Sequence, residues 1–369
     1  MQIKCNILDR QFQMYQSEYE EAALRVLRSG WYVLGNEVRQ FEEEFAKFTG
    51  RKYCVGLNSG LDALIMSVRA LGIGAGDEVI VQANTYIATV LGITENEAVP
   101  VFVEPDEYFN MDADRIEQAI SDRTKAIMVT HLYGQASNMA PIVEIARRHH
   151  LEIIEDCAQS HGARFCGKMT GTFGIAGCFS FYPTKNLGAF GDAGAVVTDD
   201  EAFADKIRMM RNYGSKVRYH NDIEGINSRL DEMQAALLRV KLTHLKELND
   251  ERITLAIRYS EGITNPEIVL PGLRDGADSI YHQYVVRCSM RDALQKALEQ
   301  KDIQTQIHYP IPPHLARCYA HLGHKRGEYP ITESYADEVL SLPLYTGMTF
   351  AEQDYVISQI NAWTLEGKK

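Results

Sequence analysis

The sequence has no C-x-x-C pair, and its seven cysteines are scattered without pattern through 369 residues. An odd, unpatterned count argues against a disulfide framework and against a zinc ribbon. No apolar run approaches the length of a membrane span, so no membrane partner is expected. The opening stretch, MQIKCNILDRQFQMYQSEYEE, lacks the apolar core of a secretory signal, and a cytoplasmic, reduced protein is expected. A basic excess is missing as well: 50 Asp and Glu stand against 38 Lys and Arg, a net charge of −12. A domain-wide field for nucleic acid is therefore absent. Anionic small molecules must be held by local devices such as helix N-termini, Arg or Lys. Internal repeats, low-complexity tracts and linkers are lacking too, so one main domain can account for much of the chain.

What is present is alternation. Helices are predicted after residue 16, with Ala23, Leu24 and Leu27 on one face, and around Glu37–Phe48, where Val38, Phe41, Phe45 and Phe48 repeat the pattern. Strand-like runs follow at Tyr53–Leu57, Glu78–Val81, Val99–Val103, Ala126–Thr130, Glu152–Glu155, Cys178–Tyr182 and Ala193–Thr198, with helices over Ser59–Leu71 and Pro141–His149 between them. Short β-rich runs separated by helices mean an α/β fold with a mostly parallel sheet covered on both faces. Cys157 and Cys178 sit in apolar strand-like contexts, as buried free thiols do. A long amphipathic helix is predicted from Arg229 to Leu248, with Ser228 as N-cap. Beyond it the texture changes to a strand at 280–288, a helix at Arg291–Gln300 and a strand at Ile303–Ile307. The expected division is a large domain over 1–248 and a smaller α+β domain over 249–369.

Four elements carry chemistry. In Asn58-Ser59-Gly60-Leu61-Asp62, at a strand-to-helix turn, Ser59 can cap the helix and Gly60 lets backbone approach a ligand. The free N–H groups of that first turn either are simply capped or face a phosphate. In Ile153-Ile154-Glu155-Asp156-Cys157-Ala158-Gln159, an apolar strand ends in a carboxylate. Such a carboxylate either caps the next helix or holds a proton on a pyridine nitrogen, which makes a bound ring an electron sink. In Phe179-Ser180-Phe181-Tyr182-Pro183-Thr184-Lys185-Asn186-Leu187-Gly188, one lysine sits among aromatics with glycines after it. It is either a surface lysine or a desolvated amine fit for Schiff-base chemistry. In Gly225-Ile226-Asn227-Ser228-Arg229, Asn227 and Arg229 either serve the helix start or reach an anion.

In this order, phosphate cradle, strand-end Asp, then Lys after an aromatic strand, the elements follow type I pyridoxal-phosphate (PLP) enzymes. Ser59-Gly60, Thr85-Tyr86-Ile87-Ala88-Thr89, Glu155–Ala163, Phe179–Asn186 and Asn227–Asp231 resemble the nucleotide-sugar aminotransferases of the DegT/StrS family. Gly30-Trp31-Tyr32-Val33-Leu34-Gly35 resembles that family's N-terminal signature, and the likeness spans about Arg28 to Thr346. Leu61 departs from it, standing where the family usually has Thr.

The resemblance implies a type I PLP aminotransferase fold, with the sheet in a three-layer large domain. It implies that Lys185 carries PLP, that Asp156 holds the pyridinium nitrogen, that Gln159 lies near the ring's phenolic oxygen and that Tyr86 stacks on the ring. Ser59, Gly60, Leu61 and Ser180 would surround the phosphate, with Asn227 reaching in from a second subunit of a homodimer. The cofactor would alternate with pyridoxamine phosphate, with glutamate as amino donor and a nucleotide-linked keto-sugar as acceptor. His308-Tyr309-Pro310-Ile311-Pro312-Pro313-His314 resembles the 3-amination branch, so His308 and Tyr309, with Tyr182 and Arg229, are the expected substrate contacts. A dTDP-linked 3-keto-6-deoxyhexose is the expected acceptor, and lipopolysaccharide O-antigen or S-layer glycan the expected destination. The alternatives are a 4-keto acceptor, or a regulatory protein on this fold without turnover. Lys185 argues against the sugar-dehydratase branch, where histidine replaces it. His131 could border the cofactor, Arg287 is a candidate for an amino-acid carboxylate, and His149 and His150 are expected in solvent or at a helix end. No metal is expected.

Overall fold

Seven short strands assemble in an order that differs from their order in the chain. They are β1 (Tyr53–Leu57), β2 (Glu78–Gln82), β3 (Val99–Val103), β4 (Thr124–Thr130), β5 (Glu152–Asp156), β6 (Ala176–Ser180) and β7 (Gly194–Thr198). In the computed structural model, which describes residues 2–364, they form one sheet in the order β1-β7-β6-β5-β4-β2-β3. Strands β2 to β6 pair in parallel, whereas β7 runs antiparallel to both β6 and β1.

The sheet is buried on both faces, and the period-2 alternation sorts its side chains. Val79, Val81, Met128, Cys178 and Val196 join one core, against helices α4 (Gly60–Ala70), α5 (Ile87–Thr94) and α7 (Glu201–Met210). Their strand neighbours Ile80, Ile127 and Val129 point to the other side, where α6 (Met139–His149) packs. Phe179, Ala195 and Val197 also face that side, against Phe41 and Phe45 of α3 (Asn36–Thr49) and Leu238 of α8 (Glu232–Gly262). This is the three-layer arrangement, and Cys157 and Cys178 are buried free thiols within it.

Several predicted elements shift. Before α2 (Gln16–Ser29) there is a further helix, α1 (Leu8–Met14). The buried face of α2 is Tyr19, Ala22 and Val26, while Leu24 and Leu27 are 45% and 55% exposed. An apolar stripe read from sequence does not say which neighbour covers it. Ser228 does not cap α8; Asp231 holds the N-cap position, and the Ser228 hydroxyl turns to Asp62. The helix continues past Leu248 to Gly262, so the expected division at 248/249 falls inside it. Its first half packs Ala235, Leu238 and Leu245 on the large sheet, and its second half packs Leu255, Ala256 and Tyr259 into another core.

That second core is built on an antiparallel pair, β8 (Tyr284–Arg287) and β9 (Val339–Leu342), with α9 (Arg291–Glu299) and α10 (Phe350–Ala362). Ile3 joins it from the other end of the chain. The expected strand at Ile303–Ile307 is not formed. Only isolated bridges hold that segment, Ile3 to Ile303 and Gln306 to Ser341, because each neighbour meets it at a single residue. No described helix is long and apolar enough to cross a membrane.

Candidate active site

The carboxyl ends of β5 and β6 and the turn from β1 into α4 converge, as ligand sites do in open parallel sheets. At the turn, Ser59 is extended and its hydroxyl accepts the Asp62 N–H at 3.1 Å. Other first-turn N–H groups have no partner within the helix. Gly60 is pressed against β6: a Cβ there would lie 2.5 Å from the Ser180 Cβ. Gly194 is as tight, since a Cβ on it would lie 2.2 Å from the Ser59 carbonyl carbon. Backbone thus forms the floor of this corner, with Leu61 half-buried beside it.

The segment before α8 closes one side. Ser228 donates to Asp62 Oδ2 at 2.7 Å and accepts the Asn58 N–H at 3.1 Å. Asn227 next to it is exposed, and its backbone bridges to Asn212. Arg229 donates to Asn212 Oδ1 at 3.1 Å and lies over the Tyr213 ring.

Asp156 ends β5 and is buried. No helix follows it, so the capping alternative falls away. Its Oδ1 accepts the Ala158 N–H at 3.1 Å and its Oδ2 accepts the Thr89 hydroxyl at 2.7 Å. Burial pushes the carboxyl up, while Thr89, Ala158 and the charge of Lys185 pull it down. Two donors leave lone pairs free for a further N–H.

Lys185 follows β6 in a turn that its own N–H closes by donating to the Tyr182 carbonyl at 2.8 Å. Its amine makes no hydrogen bond within the described residues. Burial pulls it down to about 8, against the opposing charge of Asp156. A desolvated amine without a partner is a nucleophile in waiting. Asn186 is fixed by the Asn249 side chain, the Ile280 carbonyl and His282. His161 donates to the Ser180 carbonyl at 2.9 Å, and burial pulls it down to about 3, so the ring is neutral.

Gln159 links Tyr133 to the 308–309 segment. Its Oε1 accepts the Tyr133 N–H at 2.6 Å and its Nε2 donates to the Tyr309 hydroxyl at 3.1 Å. The Tyr309 ring lies 5.0 Å from that of Tyr86, which is half exposed at the start of α5. Tyr133 donates to the His308 carbonyl, and His308 Nδ1 meets Ser341 Oγ at 2.8 Å. The 308–309 segment is thereby seated beside Gln159, with Tyr182 exposed.

Other candidates resolve into supports. His131 Nδ1 accepts the Ser137 N–H at 3.0 Å, so its Nε2 donates to Glu155 at 3.0 Å. Glu155 also accepts the N–H groups of Gly171, Phe173 and Gly174. Ligand atoms of His131, Glu155 and Cys157 lie within 4.8 Å of one another, but both His131 nitrogens and the carboxylate are already engaged. Arg287 is engaged by Glu338 at 3.0 Å. His149 meets Glu117 at the end of α6, where His150 is the C-cap. Sequence reasoning assigned no role to Thr89, Tyr133 or Gly194. Thr85 and Thr89 lie one helical turn apart, which was the one local signal for the first.

A partnerless amine, a buried carboxylate with lone pairs to spare and a helix N-terminus floored by backbone suit an anionic aromatic aldehyde. The fold and this donor set define a PLP-dependent aminotransferase. The sequence profile of the DegT/DnrJ/EryC1/StrS aminotransferase family matches residues 13–361, and the chain belongs to that family. A relative named dTDP-3-amino-3,6-dideoxy-alpha-D-galactopyranose transaminase, from Aneurinibacillus thermoaerophilus, is 49% identical over 96% of this chain and 98% of its own. Another, named Erythromycin biosynthesis sensory transduction protein EryC1, from Saccharopolyspora erythraea, is 48% identical over 94% of this chain and 95% of its own. The crystal structure of S. venezuelae DesV in complex with a ketimine intermediate matches with a TM-score of 0.96 at 44% identity, covering 98% of each chain.

Proposed function

We propose that this enzyme moves an amino group from glutamate to a dTDP-linked 3-keto-6-deoxyhexose, giving a 3-amino sugar. The observation that carries the reading is the His308-Tyr309 segment, held against Gln159 and Tyr86 at the mouth of the Lys185 site. A rigid segment there presents a sugar ring with little entropy left to lose. The near-full-length likeness to a 3-amino-sugar transaminase supports the same regiochemistry.

PLP, when bound, supplies a protonated ring that accepts the electron pair left on the amino acid's Cα. The chain's residues do the rest. Asp156 keeps the proton on the ring nitrogen. Lys185 would hold the cofactor through its Nζ, and once freed by the donor amine that Nζ would take the proton from the donor's Cα and pass it on to the cofactor. Ser59, Gly60 and Ser180 hold the phosphate at the start of α4. Gln159 would lie near the phenolic oxygen and Tyr86 would cover the ring. Tyr182, Arg229, His308 and Tyr309 contact the substrate.

Asn227, exposed and free at its side chain, completes the phosphate site of a partner subunit in a homodimer. The exposed Leu24, Leu27, Trp31 and Tyr32 supply apolar surface for such a contact. The setting is cytoplasmic and serves surface-glycan synthesis. The intact Asp156, Gln159 and Lys185 favour turnover over a purely regulatory role. The test is to supply glutamate with 3-keto and with 4-keto dTDP-6-deoxyhexoses and to locate the new amine by NMR. Faster amination of the 4-keto sugar overturns the regiochemistry.

A further inference from the structure

Lys241 lies in the middle of α8, only 3% exposed. Its sole hydrogen bond runs to the Gly188 carbonyl at 3.3 Å, and no carboxylate pairs with it among the described residues. A lysine so placed is costly, because an ammonium has three donors to satisfy and loses its hydration. An aliphatic residue of the same length would pack there at less cost.

The carbonyl that Lys241 holds belongs to the turn that carries Lys185. At Gly188 the chain folds back so closely that a Cβ would lie 2.3 Å from the Pro183 carbonyl oxygen and 2.8 Å from that of Tyr182. Gly188 itself therefore has no side chain with which to anchor the bend. Helix α8 provides anchors instead. About two turns beyond Lys241, Asn249 accepts from Asn186 at 2.8 Å and donates to the His161 carbonyl at 2.9 Å. About three turns beyond Lys241, Arg252 donates to the carbonyls of Tyr281 and His282. Asn186 and Gly188, just after Lys185, are thus both gripped from one helix face.

We propose that Lys241 is a positioning residue, which holds the Gly188 carbonyl and so fixes the direction in which Lys185 projects. Burial, aided by the charge of Arg252, pulls the Lys241 amine down to about 7. Above that pH it is largely a neutral amine, with two N–H donors in place of three. The inference rests on Lys185 being the residue that carries the cofactor.

The test is Lys241→Met, which keeps the apolar stem and deletes the donor. The cofactor-free variant should melt a few degrees higher than wild type, since a buried amine has been removed. The holoenzyme should lose roughly tenfold or more in kcat while the KM for the dTDP-sugar stays within about twofold. Unchanged kcat overturns the proposal, whatever the melting temperature does. A lower melting temperature or failure to fold also overturns it, because the amine would then be holding the fold and not the site. Borohydride reduction of wild-type holoenzyme, followed by peptide mapping, separates this from the functional reading. A label on another lysine sinks that reading. A label on Lys185 with unchanged Lys241→Met kcat sinks the positioning role alone.

Discussion

Thr89 donates its hydroxyl hydrogen to Asp156 Oδ2 across 2.7 Å, from α5 to the end of β5. An ionised carboxylate only accepts, so the direction of this bond is fixed. Thr89 must then accept from Thr85, 2.6 Å away, and Thr85 from Thr130 at 3.1 Å. All three hydroxyls are buried, and they point their hydrogens along one line toward Asp156. A hydrogen bond to a charged group is worth about 1.5–3 kcal/mol, or roughly one to two pH units. Thr89→Val should therefore let the Asp156 pKa rise and move the acid limb of the kcat profile upward by about one unit. Asp156→Ala, by contrast, should bind cofactor weakly and abolish transamination. An unshifted Thr89→Val profile would mean that the Ala158 N–H and the bound ring hold the charge by themselves.

Gly60→Ala tests the floor of the proposed phosphate corner. The added Cβ meets the Ser180 backbone and Cβ, neither of which is the far end of a flexible side chain. The helix start must move away from β6, taking the first-turn N–H groups with it. Affinity for PLP should fall on the order of a hundredfold, as expected for an anion site displaced by about an ångström. Titration of the cofactor-free protein, read by absorbance, gives the number. Wild-type affinity would place the phosphate elsewhere.

Much of the sheet was legible because each strand is a short apolar run between turn residues, and β3 is found at its predicted bounds. The reversal of β7 was not, since Ala195, Val196 and Val197 are apolar and buried whichever way the strand runs. Leu24 and Leu27 misled for a related reason: periodicity marks an apolar face but does not name its cover. Lys185 and Asp156 were legible as candidates from motif order. Their supports were not, since Thr89 lies far from Asp156 in sequence and Tyr133 far from His308. Those contacts follow from strand order, which no local pattern states.

Lys185 makes a prediction about stability and pH in the cofactor-free protein. Its folded pKa is lowered from 10.5 to about 8, so between those values the unfolded chain binds more protons than the folded one. Stability contributed by this residue therefore rises with pH across that window. Its penalty is complete below about 8 and gone above about 10.5. Lys185→Met should melt higher than wild type at pH 7, and the two curves should converge toward pH 10.5. A constant gap would mean that the amine is not desolvated in the fold.

The proposed sharing of the active site admits a complementation test. Asn227 is exposed, its side chain has no hydrogen bond within the described residues of its own chain, and it neighbours Ser228, which binds the start of α4 through Asp62. If Asn227 serves the partner's phosphate, each site takes its lysine from one chain and its asparagine from the other. Lys185→Ala alone is inactive, and Asn227→Asp, which sets a negative charge against the phosphate, should be nearly so. In a heterodimer of the two, one site carries both defects and the other carries neither. Random re-pairing of equal amounts makes about half the dimers mixed, each with one sound site, so about a quarter of wild-type activity should return. The assay is transamination after mixing, brief denaturation and refolding, with each variant alone as control. If Asn227 acts within its own chain, every site in the mixture carries one defect and no activity returns.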